Sequence, residues 1–335
     1  MTDRYTAVQE GEAHVLRDAA HDAEARIVAG RGNNVTHFRV KPAGESAAID
    51  VLLPPSGDGG LGASGYSAGN PILFPFPNRV KGGRYSFGGR NHQLDVNESA
   101  RGNHIHGLVS SRAWRLDSAG TSDSEGAWQT ASMQLDADPD ILRQYPFPCR
   151  ISVTTRLRDG VLEQATEVRN TGKEPLPMGY GTHPWFPASL GGAREQTEVK
   201  VPGAKYWRLE ILVPTGETVD VSSDAEKFDL RRWHALDGNE YDDVFTALER
   251  RPDGWTEAGV RYPDRGLQLI VEASPEFREW VIFAPLSRAV VCLEPYTGTT
   301  NAVNLQSQGV DAGLVVVQQG ATWRGTIRTL LRRDI

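Results

Sequence analysis

A chain of 335 residues with 39% hydrophobic and 24% charged residues has the composition of an ordinary globular protein. Its formal net charge of −7 argues against nucleic acid or an anionic membrane as the main partner. No apolar run approaches the ~20 residues of a membrane-spanning helix, and residues 1–30 carry charge throughout instead of an apolar signal core. We therefore expect a cytoplasmic protein that binds a small ligand.

The first part of the chain predicts β-strands. Short strand-like runs at residues 14–16, 25–28, 36–40 and 49–53 alternate with turns rich in Gly, Asn and Asp, which is typical of a β-meander. Because the same rhythm continues along the chain, and large all-β domains can reach this size, we predict one all-β domain over residues 1–335.

Residues 57–69 are rich in Gly and Ser and predict a loop. No Lys-Ser/Thr pair and no predicted helix follow these glycines, which excludes a phosphate-binding loop. We expect the loop to form the rim of a site or a lid over it.

Two polar clusters lie on stiff backbone in residues 70–108. The alternating Phe and Pro residues of 71–77 predict an extended segment wedged by aromatic rings, because proline fixes φ and donates no hydrogen bond. This segment leads to Asn78 and Arg79, and a second run leads to His106. A guanidinium and an imidazole on a rigid, ring-lined support suit a neutral hydroxylated ligand, although a surface hairpin with a solvated Arg is the alternative.

Two hairpins are predicted from tight-turn dipeptides. Short alternating runs at 85–87 and 92–94 flank a Gly-Gly pair, and longer runs at 149–157 and 161–168 flank an Asp-Gly turn. The first hairpin places both polar clusters outside it.

His183 has unusual neighbours for a lone histidine. Glycines precede it, Pro184 fixes the turn after it, and Trp185 offers a ring face on which the C–H side of a sugar can pack. A histidine satisfied within the core is the alternative interpretation.

Carboxylates occur at two strand ends. Asp242 and Asp243 stand at the entrance of one predicted strand, where turn formation is the simpler explanation. Glu294 follows the apolar run 289–293, where apolar walls disfavour its charged form and tune it toward general acid or base chemistry.

The two cysteines, Cys149 and Cys292, each lie in an apolar strand-like run. They are too few for a disulfide framework, and their spacing does not predict a metal site. Buried thiols are expected.

Five short motifs resemble, in the same order, those of the aldose 1-epimerase (galactose mutarotase) family. The resemblance spans about residues 13–330 and implies the family's large antiparallel β-supersandwich, with the site in a groove on one sheet. The segment Gly-Thr-His-Pro-Trp-Phe departs from the Asn-rich turn and His-Tyr-Phe of typical members, which leaves the sugar open. The motifs are Asn78-Arg79, His106-Gly107-Leu108, Thr182-His183-Pro184, Asp242-Asp243-Val244-Phe245 and Leu293-Glu294-Pro295.

The implied reaction interconverts the α and β anomers of a free aldohexose. A base takes the proton of the C1 hydroxyl and an acid protonates the ring oxygen, so that the ring opens to an aldehyde and closes on the other face. We assign Glu294 as the base and His183 as the acid, with no metal and no organic cofactor. We expect a sugar as the only ligand and a monomer or homodimer.

Five residues are assigned to sugar binding. Arg79, His106 and Asp243 are expected to bind hydroxyls and hold the ring, with Asn78 and Trp185 completing the site. The His-Gly-Leu pattern selects His106 over His104, whose role stays open.

Three alternatives remain. A glycoside hydrolase would use two carboxylates, Asp243 and Glu294, across the scissile bond. A non-catalytic sugar-binding module would keep Trp185 without needing Glu294 beside an imidazole. A hexose-6-phosphate 1-epimerase would need a phosphate site, for which Arg84 and Arg101 are candidates.

Overall fold

The computed structural model describes residues 3–55 and 65–334. The first five strands pair in chain order as an antiparallel sheet. They are β1 Tyr5–Glu10, β2 Ala13–Asp18, β3 Ala23–Val28, β4 Asn34–Val40 and β5 Ile49–Asp50. The predicted meander is confirmed, although its last strand ends at Asp50 rather than at residue 53.

Five short strands follow and carry the polar clusters of the sequence. β7 pairs with β10, and β8 pairs with β9 around the two glycines, which confirms the first predicted hairpin. The five are β6 Ile72–Leu73, β7 Arg79–Val80, β8 Arg84–Phe87, β9 Arg90–Gln93 and β10 His104–Ile105.

The middle of the chain holds long paired strands and then short ones. β13 and β14 pair over ten positions, and both turn residues have positive φ, +51° at Asp159 and +72° at Gly160, which confirms the second hairpin. These strands are β11 Arg115–Ser122, β12 Gly126–Gln134, β13 Cys149–Arg158, β14 Val161–Asn170, β15 Leu176–Met178, β16 Gly181–Thr182, β17 Phe186–Pro187 and β18 Glu198–Lys200.

The last third of the chain completes both large sheets. Its strands are β19 Gly203–Glu210, β20 Val213–Asp220, β21 His234–Ala235, β22 Tyr241–Leu248, β23 Thr256–Tyr262, β24 Leu267–Ala273, β25 Glu279–Ala284, β26 Val290–Tyr296, β27 Val315–Val317 and β28 Thr322–Arg333. The α-helices of the described residues are short: α1 Pro139–Gln144, α2 Ala225–Phe228 and α3 Ala302–Ser307. In that part of the chain, no helix is long and apolar enough to cross a membrane.

Two large antiparallel sheets dominate. One has nine strands in the order β11-β12-β13-β14-β28-β24-β23-β18-β21. The other follows the path β20-β19-β22-β25-β26-β16-β6, with β17 also on β26. The fold is all-β and antiparallel, as predicted.

Strand alternation gives the second sheet two different faces. Phe245, Trp280 and Leu293 belong to the main apolar core of the protein. Val244 and Val281, their neighbours in sequence, belong to a smaller cluster on the opposite face. This opposite face also carries the polar residues described next, and we call it the site face.

Candidate active site

A cavity of about 150 Å³ opens on the site face. Eight side chains from the predicted motifs or directly next to them meet there with two others, so distant parts of the chain converge on one place. The lining residues are Tyr66, Asn78, Arg79, Ile105, His106, His183, Trp185, Asp242, Phe283 and Glu294.

Glu294 lies within β26 rather than at its end. Its register partner is Val281 of β25, and the strand continues to Tyr296. The carboxylate therefore stands in the middle of a sheet that is buried on both faces, 1% exposed. The Tyr296 hydroxyl donates a hydrogen bond to Oε2, while Oε1 lies 3.4 Å from His183 Nε2.

Burial controls the protonation of this acid. It raises the pKa of Glu294 well above the ordinary value, and the nearby charge of Asp242 raises it further, while the hydrogen bond from Tyr296 acts in the opposite direction. The carboxyl group therefore keeps its proton at a pH where an exposed glutamate would have lost it.

His183 is positioned by the backbone of the proline-rich segment. The backbone N–H of His183 donates to the Pro71 carbonyl at 3.1 Å. The His183 ring stacks on the Trp185 ring, with centroids 4.8 Å apart and planes 11° apart. Burial lowers the pKa of His183 to about 3, with a smaller effect from the positive charge of Arg288. Burial thus favours the neutral form of both His183 and Glu294.

The glycines before His183 leave space for neighbouring protein side chains rather than for a ligand. A Cβ on Gly181 would lie 2.3 Å from the Tyr296 ring, and one on Gly179 would lie 2.9 Å from Pro77. The absence of side chains here lets Tyr296 sit beneath Glu294 and brings the two strands together.

Arg79 is held by an acid that the sequence analysis did not single out. Its Nε and Nη2 both donate to the Glu98 carboxylate at 3.0–3.1 Å, and its Nη1 donates to Asn78 Oδ1 at 3.1 Å. Glu98 also accepts from Arg101 and Asn103. This network fixes the guanidinium before any ligand arrives.

His106 is aimed by a strained turn. It has φ of +64°, and Gly107 follows with a backbone so close to Phe74 that a Cβ would lie 2.2 Å from the Phe74 carbonyl oxygen. The ring centroids of His106 and His183 are 5.2 Å apart in an edge-on contact. Burial lowers the pKa of His106 well below the ordinary value, and the positive charge of Arg79 acts in the same direction.

Two ring nitrogens at this site have no hydrogen-bond partner among the described residues. They are Nδ1 of His106 and Nδ1 of His183, both buried. An unpaired buried polar atom costs about 1–3 kcal/mol, so a hydroxylated ligand that reached them would recover part of that cost.

Of the two adjacent acids of β22, Asp242 lines the cavity and Asp243 does not. Asp242 pairs with Phe283, which pairs with Cys292, so Asp242 shares the site face with Glu294 and lines the cavity. Asp243 lies on the opposite side of the strand and is absent from the lining. Adjacent strand residues point to opposite faces, and the sequence alone did not say which of the two acids faces the cavity.

Trp185 contacts other side chains of the site as well as lining the cavity. Its ring stacks on His183, the Arg288 guanidinium lies 4.2 Å from it, and its Nε1 donates to the Tyr66 carbonyl at 2.9 Å. The indole therefore holds the His183 ring as well as lining the cavity.

Comparison with known proteins decides the family. A model of the family "Aldose 1-epimerase" matches residues 19–329. The chain belongs to the aldose 1-epimerase family. It is 24% identical over 257 residues, 76% of each chain, to the uncharacterized protein YihR of Escherichia coli (strain K12). It is 27% identical over 214 residues to the uncharacterized protein YphB of the same organism, a match that spans 63% of this chain and 64%, under two thirds, of YphB.

Solved structures of aldose 1-epimerase relatives share the fold. A galactose mutarotase-like protein from Clostridium acetobutylicum superposes with a TM-score of 0.84 at 21% identity, covering 98% of both chains. A galactose 1-epimerase from Lactobacillus acidophilus NCFM superposes with a TM-score of 0.72 at 16% identity, covering 99% of this chain and 98% of that one. The predicted galactose mutarotase-like architecture is confirmed.

Several residues of this aldose 1-epimerase-family site were not found from the sequence. Tyr66, Glu98 and Phe283 lie in segments without a motif, and only their contacts reveal them. Tyr296 follows Glu294 by two positions, and this spacing within a strand would have placed both on one face. Of the predicted rim, residues 57–64 lie outside the described residues, while Tyr66 lines the cavity.

The remaining histidine and cysteine predictions have simple outcomes. His104 contacts the carbonyls of Asp95 and Gly107 at 2.7 and 3.2 Å and does not line the cavity. Cys149 and Cys292 are free and buried, as expected.

Proposed function

We propose that this protein is an aldose 1-epimerase that interconverts the α and β anomers of a free aldohexose. The observation that carries the proposal is the buried pair of Glu294 and His183, 3.4 Å apart, in a cavity that also holds Arg79 and Asp242. The cavity of about 150 Å³ is smaller than the about 300–1,000 Å³ of drug-sized sites, which suits a single sugar ring.

The reaction needs one proton acceptor and one donor. In the proposed direction, Glu294 accepts the proton of the C1 hydroxyl while His183 gives a proton to the ring oxygen, and the C1–O5 bond breaks to give the open-chain aldehyde. Rotation about C1–C2 and the reverse transfers close the ring to the other anomer. Every proton returns, so the protein ends in its starting state.

Glu294 and His183 together provide one proton donor and one proton acceptor, whichever of the two holds the proton. In the ligand-free protein, burial favours a protonated Glu294 and a neutral His183, which together hold the same number of protons as a carboxylate and an imidazolium. Moving one proton between the two residues changes which group gives and which accepts. This suits a reaction that must run equally well in both directions.

Binding is proposed to use fixed donors and one acceptor. Arg79, oriented by Glu98, and His106 would donate to sugar hydroxyls and stabilise negative charge that builds on oxygen as the ring opens. Asp242, which lines the cavity where Asp243 does not, would accept a hydrogen bond from a hydroxyl. Asn78 orients Arg79, so its proposed part in binding is indirect.

The geometry disfavours the phosphosugar alternative and the glycosidase pair that was predicted from the sequence. A glycosidase pair of Asp243 and Glu294 would span opposite faces of one sheet. A phosphate would meet the carboxyls of Asp242 and Glu294 in the cavity, while Arg101 is paired with Glu98 and Arg84 lines a different cavity.

A cytoplasmic location is also proposed, because free thiols persist in reducing compartments.

Polarimetry tests the proposal. We expect the purified protein to speed the mutarotation of freshly dissolved α-glucose or α-galactose and to act weakly on a hexose 6-phosphate. Activity should survive treatment with a chelator. Acceleration confined to the phosphosugar would replace the free-sugar assignment, and binding of sugars without any acceleration would identify a non-catalytic module.

A further inference from the structure

A thiol lies beside the proposed proton-transfer pair. Cys292 and Glu294 are two positions apart in β26, so both side chains project from the same face of the sheet. One ligand atom from each of His183, Cys292 and Glu294 lies within 4.8 Å of the other two, and all three residues are buried. No metal-site spacing is visible in the sequence, because His183 comes from a loop more than a hundred residues away from Cys292.

The three ligand atoms of this cluster, one sulfur, one nitrogen and one oxygen, favour some metal ions over others. Sulfur, imidazole nitrogen and carboxylate oxygen together are the ligands of zinc sites, whereas Mg²⁺ and Ca²⁺ select oxygen ligands alone. We propose that His183, Cys292 and Glu294 bind a borderline or soft divalent cation such as Zn²⁺, and that the bound ion blocks the sugar site. The ion is an inhibitor here, because the proposed reaction needs no metal.

The distances are close to those of a zinc site. Ligand atoms around tetrahedral Zn²⁺ lie roughly 3.3–3.8 Å apart, given bonds of about 2.0–2.3 Å. The His183 to Glu294 separation of 3.4 Å already falls in this range. The Cys292 sulfur must approach by up to roughly 1 Å, which a small side-chain rotation can supply.

The surroundings fit an ion that enters from the cavity. His183 and Glu294 line it, while Cys292 packs behind them in a small apolar cluster with Trp185 and Phe283. Tyr296 holds one oxygen of Glu294, which leaves the other oxygen for the ion. A water molecule from the cavity would fill the fourth position, as in zinc sites with three protein ligands.

Binding involves no oxidation or reduction. The thiol of Cys292 releases its proton to the buffer when sulfur joins the ion, and Glu294 releases its proton where it carries one. The ion then occupies the lone pairs with which both proposed catalytic groups exchange protons.

Cobalt absorption tests the site without any activity assay. Metal-free protein titrated with Co²⁺ should develop a thiolate-to-metal charge-transfer band and the intense visible bands of tetrahedral Co²⁺, saturating at one ion per chain and abolished by Zn²⁺. Cys292→Ser should lose the charge-transfer band. Cys149→Ser, which removes the other buried thiol in β13, should retain it.

Two results would overturn the site: no charge-transfer band in the parent protein, or a band that persists in Cys292→Ser. Circular dichroism checks that each variant is folded. If Cys292→Ser does not fold, His183→Asn serves instead and should weaken Co²⁺ binding at least about tenfold, since lost ligands cost more than the 10–100-fold of supporting groups. Unchanged Co²⁺ affinity in that variant would also refute the proposal.

Inhibition is measured against each variant's own metal-free rate, and this part rests on the proposed function. We expect Zn²⁺ to abolish mutarotation in the parent and in Cys149→Ser, and Cys292→Ser to need at least about tenfold more Zn²⁺ for half inhibition. Equal sensitivity of the two serine variants would remove the blocking role. Protein that shows the cobalt band but no mutarotation with any sugar would refute the proposed function and leave the metal site intact.

Discussion

The two large sheets place carboxylates in opposite environments. On the nine-stranded sheet, Glu163 accepts from Arg328 at 2.9 Å and lies 3.4 Å from Arg156, and Glu272 pairs with Arg251. On the site face, Glu294 is buried and Asp242 is half-buried, and neither forms an ion pair with Lys or Arg within the described residues. Glu163 and Glu272 are engaged in ion pairs, whereas burial without a cationic partner raises the pKa of Glu294 and poises it for proton exchange.

The larger of two cavities lies on the other sheet. A cavity of about 500 Å³ lies on the nine-stranded sheet, lined by charged groups that include Arg156, Glu163 and Arg328. The site-face cavity is smaller, at about 150 Å³, yet it holds the histidines and the acids with shifted pKa values. Buried groups with shifted pKa values are the reason that we place the proposed activity in the smaller cavity.

The largest expected effect comes from neutralising the buried acid. Glu294→Gln keeps the shape of the side chain but cannot take a proton, so we expect kcat to fall by roughly 10²–10⁴ while KM changes little. Glu163→Gln, on the nine-stranded sheet, should stay within about twofold of the parent. Polarimetric initial rates over a range of sugar concentrations separate kcat from KM.

A double variant sharpens this result. His183→Asn should have a loss similar to Glu294→Gln, and the combination should cost much less than the product of the two single losses, because both residues serve one proton-transfer cycle. Strictly multiplicative losses would show that the two groups act separately.

The next effect separates two adjacent acids of β22. Asp242→Asn should lower kcat/KM by roughly 10–100-fold, since it removes a charged acceptor in the cavity. Asp243→Asn should remain within about threefold, because its side chain lies on the other face. If Asp243→Asn lowered kcat/KM more than Asp242→Asn did, Asp243 rather than Asp242 would be the acid that contacts the sugar.

A smaller effect is expected from the tyrosine beneath Glu294. Tyr296→Phe removes a hydrogen bond that favours the ionised carboxylate, so the pKa of Glu294 should rise further and the acid limb of the rate profile should move to higher pH. We expect kcat at neutral pH to fall by about tenfold. Tyr145→Phe, which removes a buried hydroxyl that donates to Pro177, is the control and should not move the profile.

The smallest effect on activity and a clear one on stability come from Glu279. Burial raises its pKa to about 8, against hydrogen bonds from Trp207 and Thr246. Because the folded pKa lies above the unfolded value of 4.5, its stabilising contribution is complete below pH 4.5 and is lost as pH rises through about 8. Chemical denaturation should show the free energy of unfolding falling by about 3–5 kcal/mol more between pH 5 and 9 in the parent than in Glu279→Gln. Parallel curves for the two proteins would show that Glu279 is ionised in the folded state.

The sequence predicted the architecture and most of the residues that line the site-face cavity. Turn dipeptides located both hairpins, and the five motifs converge in one cavity as the resemblance implied. What the sequence could not supply was the direction of each side chain. The choice between Asp242 and Asp243 depends on register with β25, and the position of Glu294 depends on β26 running two residues farther than the proline suggested.

Side-chain contacts between distant segments of the chain could not be predicted from the sequence either. Glu98 reaches Arg79 only because β10 and the loop before it fold back on β7. The stacking of His183 on Trp185 has a local origin, yet its effect, a ring held beside a buried acid, appears only when β16 pairs with β26. Such contacts carry no local sequence pattern.

Exchange spectroscopy by NMR tests the central claim most directly, because it observes anomers interconverting at equilibrium. With glucose or galactose, the parent protein should produce exchange cross-peaks between the C1 protons of the α and β forms, and Glu294→Gln should produce none above the uncatalysed background. Cross-peaks of equal intensity with both proteins, or line broadening by the parent without exchange, would contradict the assignment of Glu294 and His183 as the groups that open and close the sugar ring.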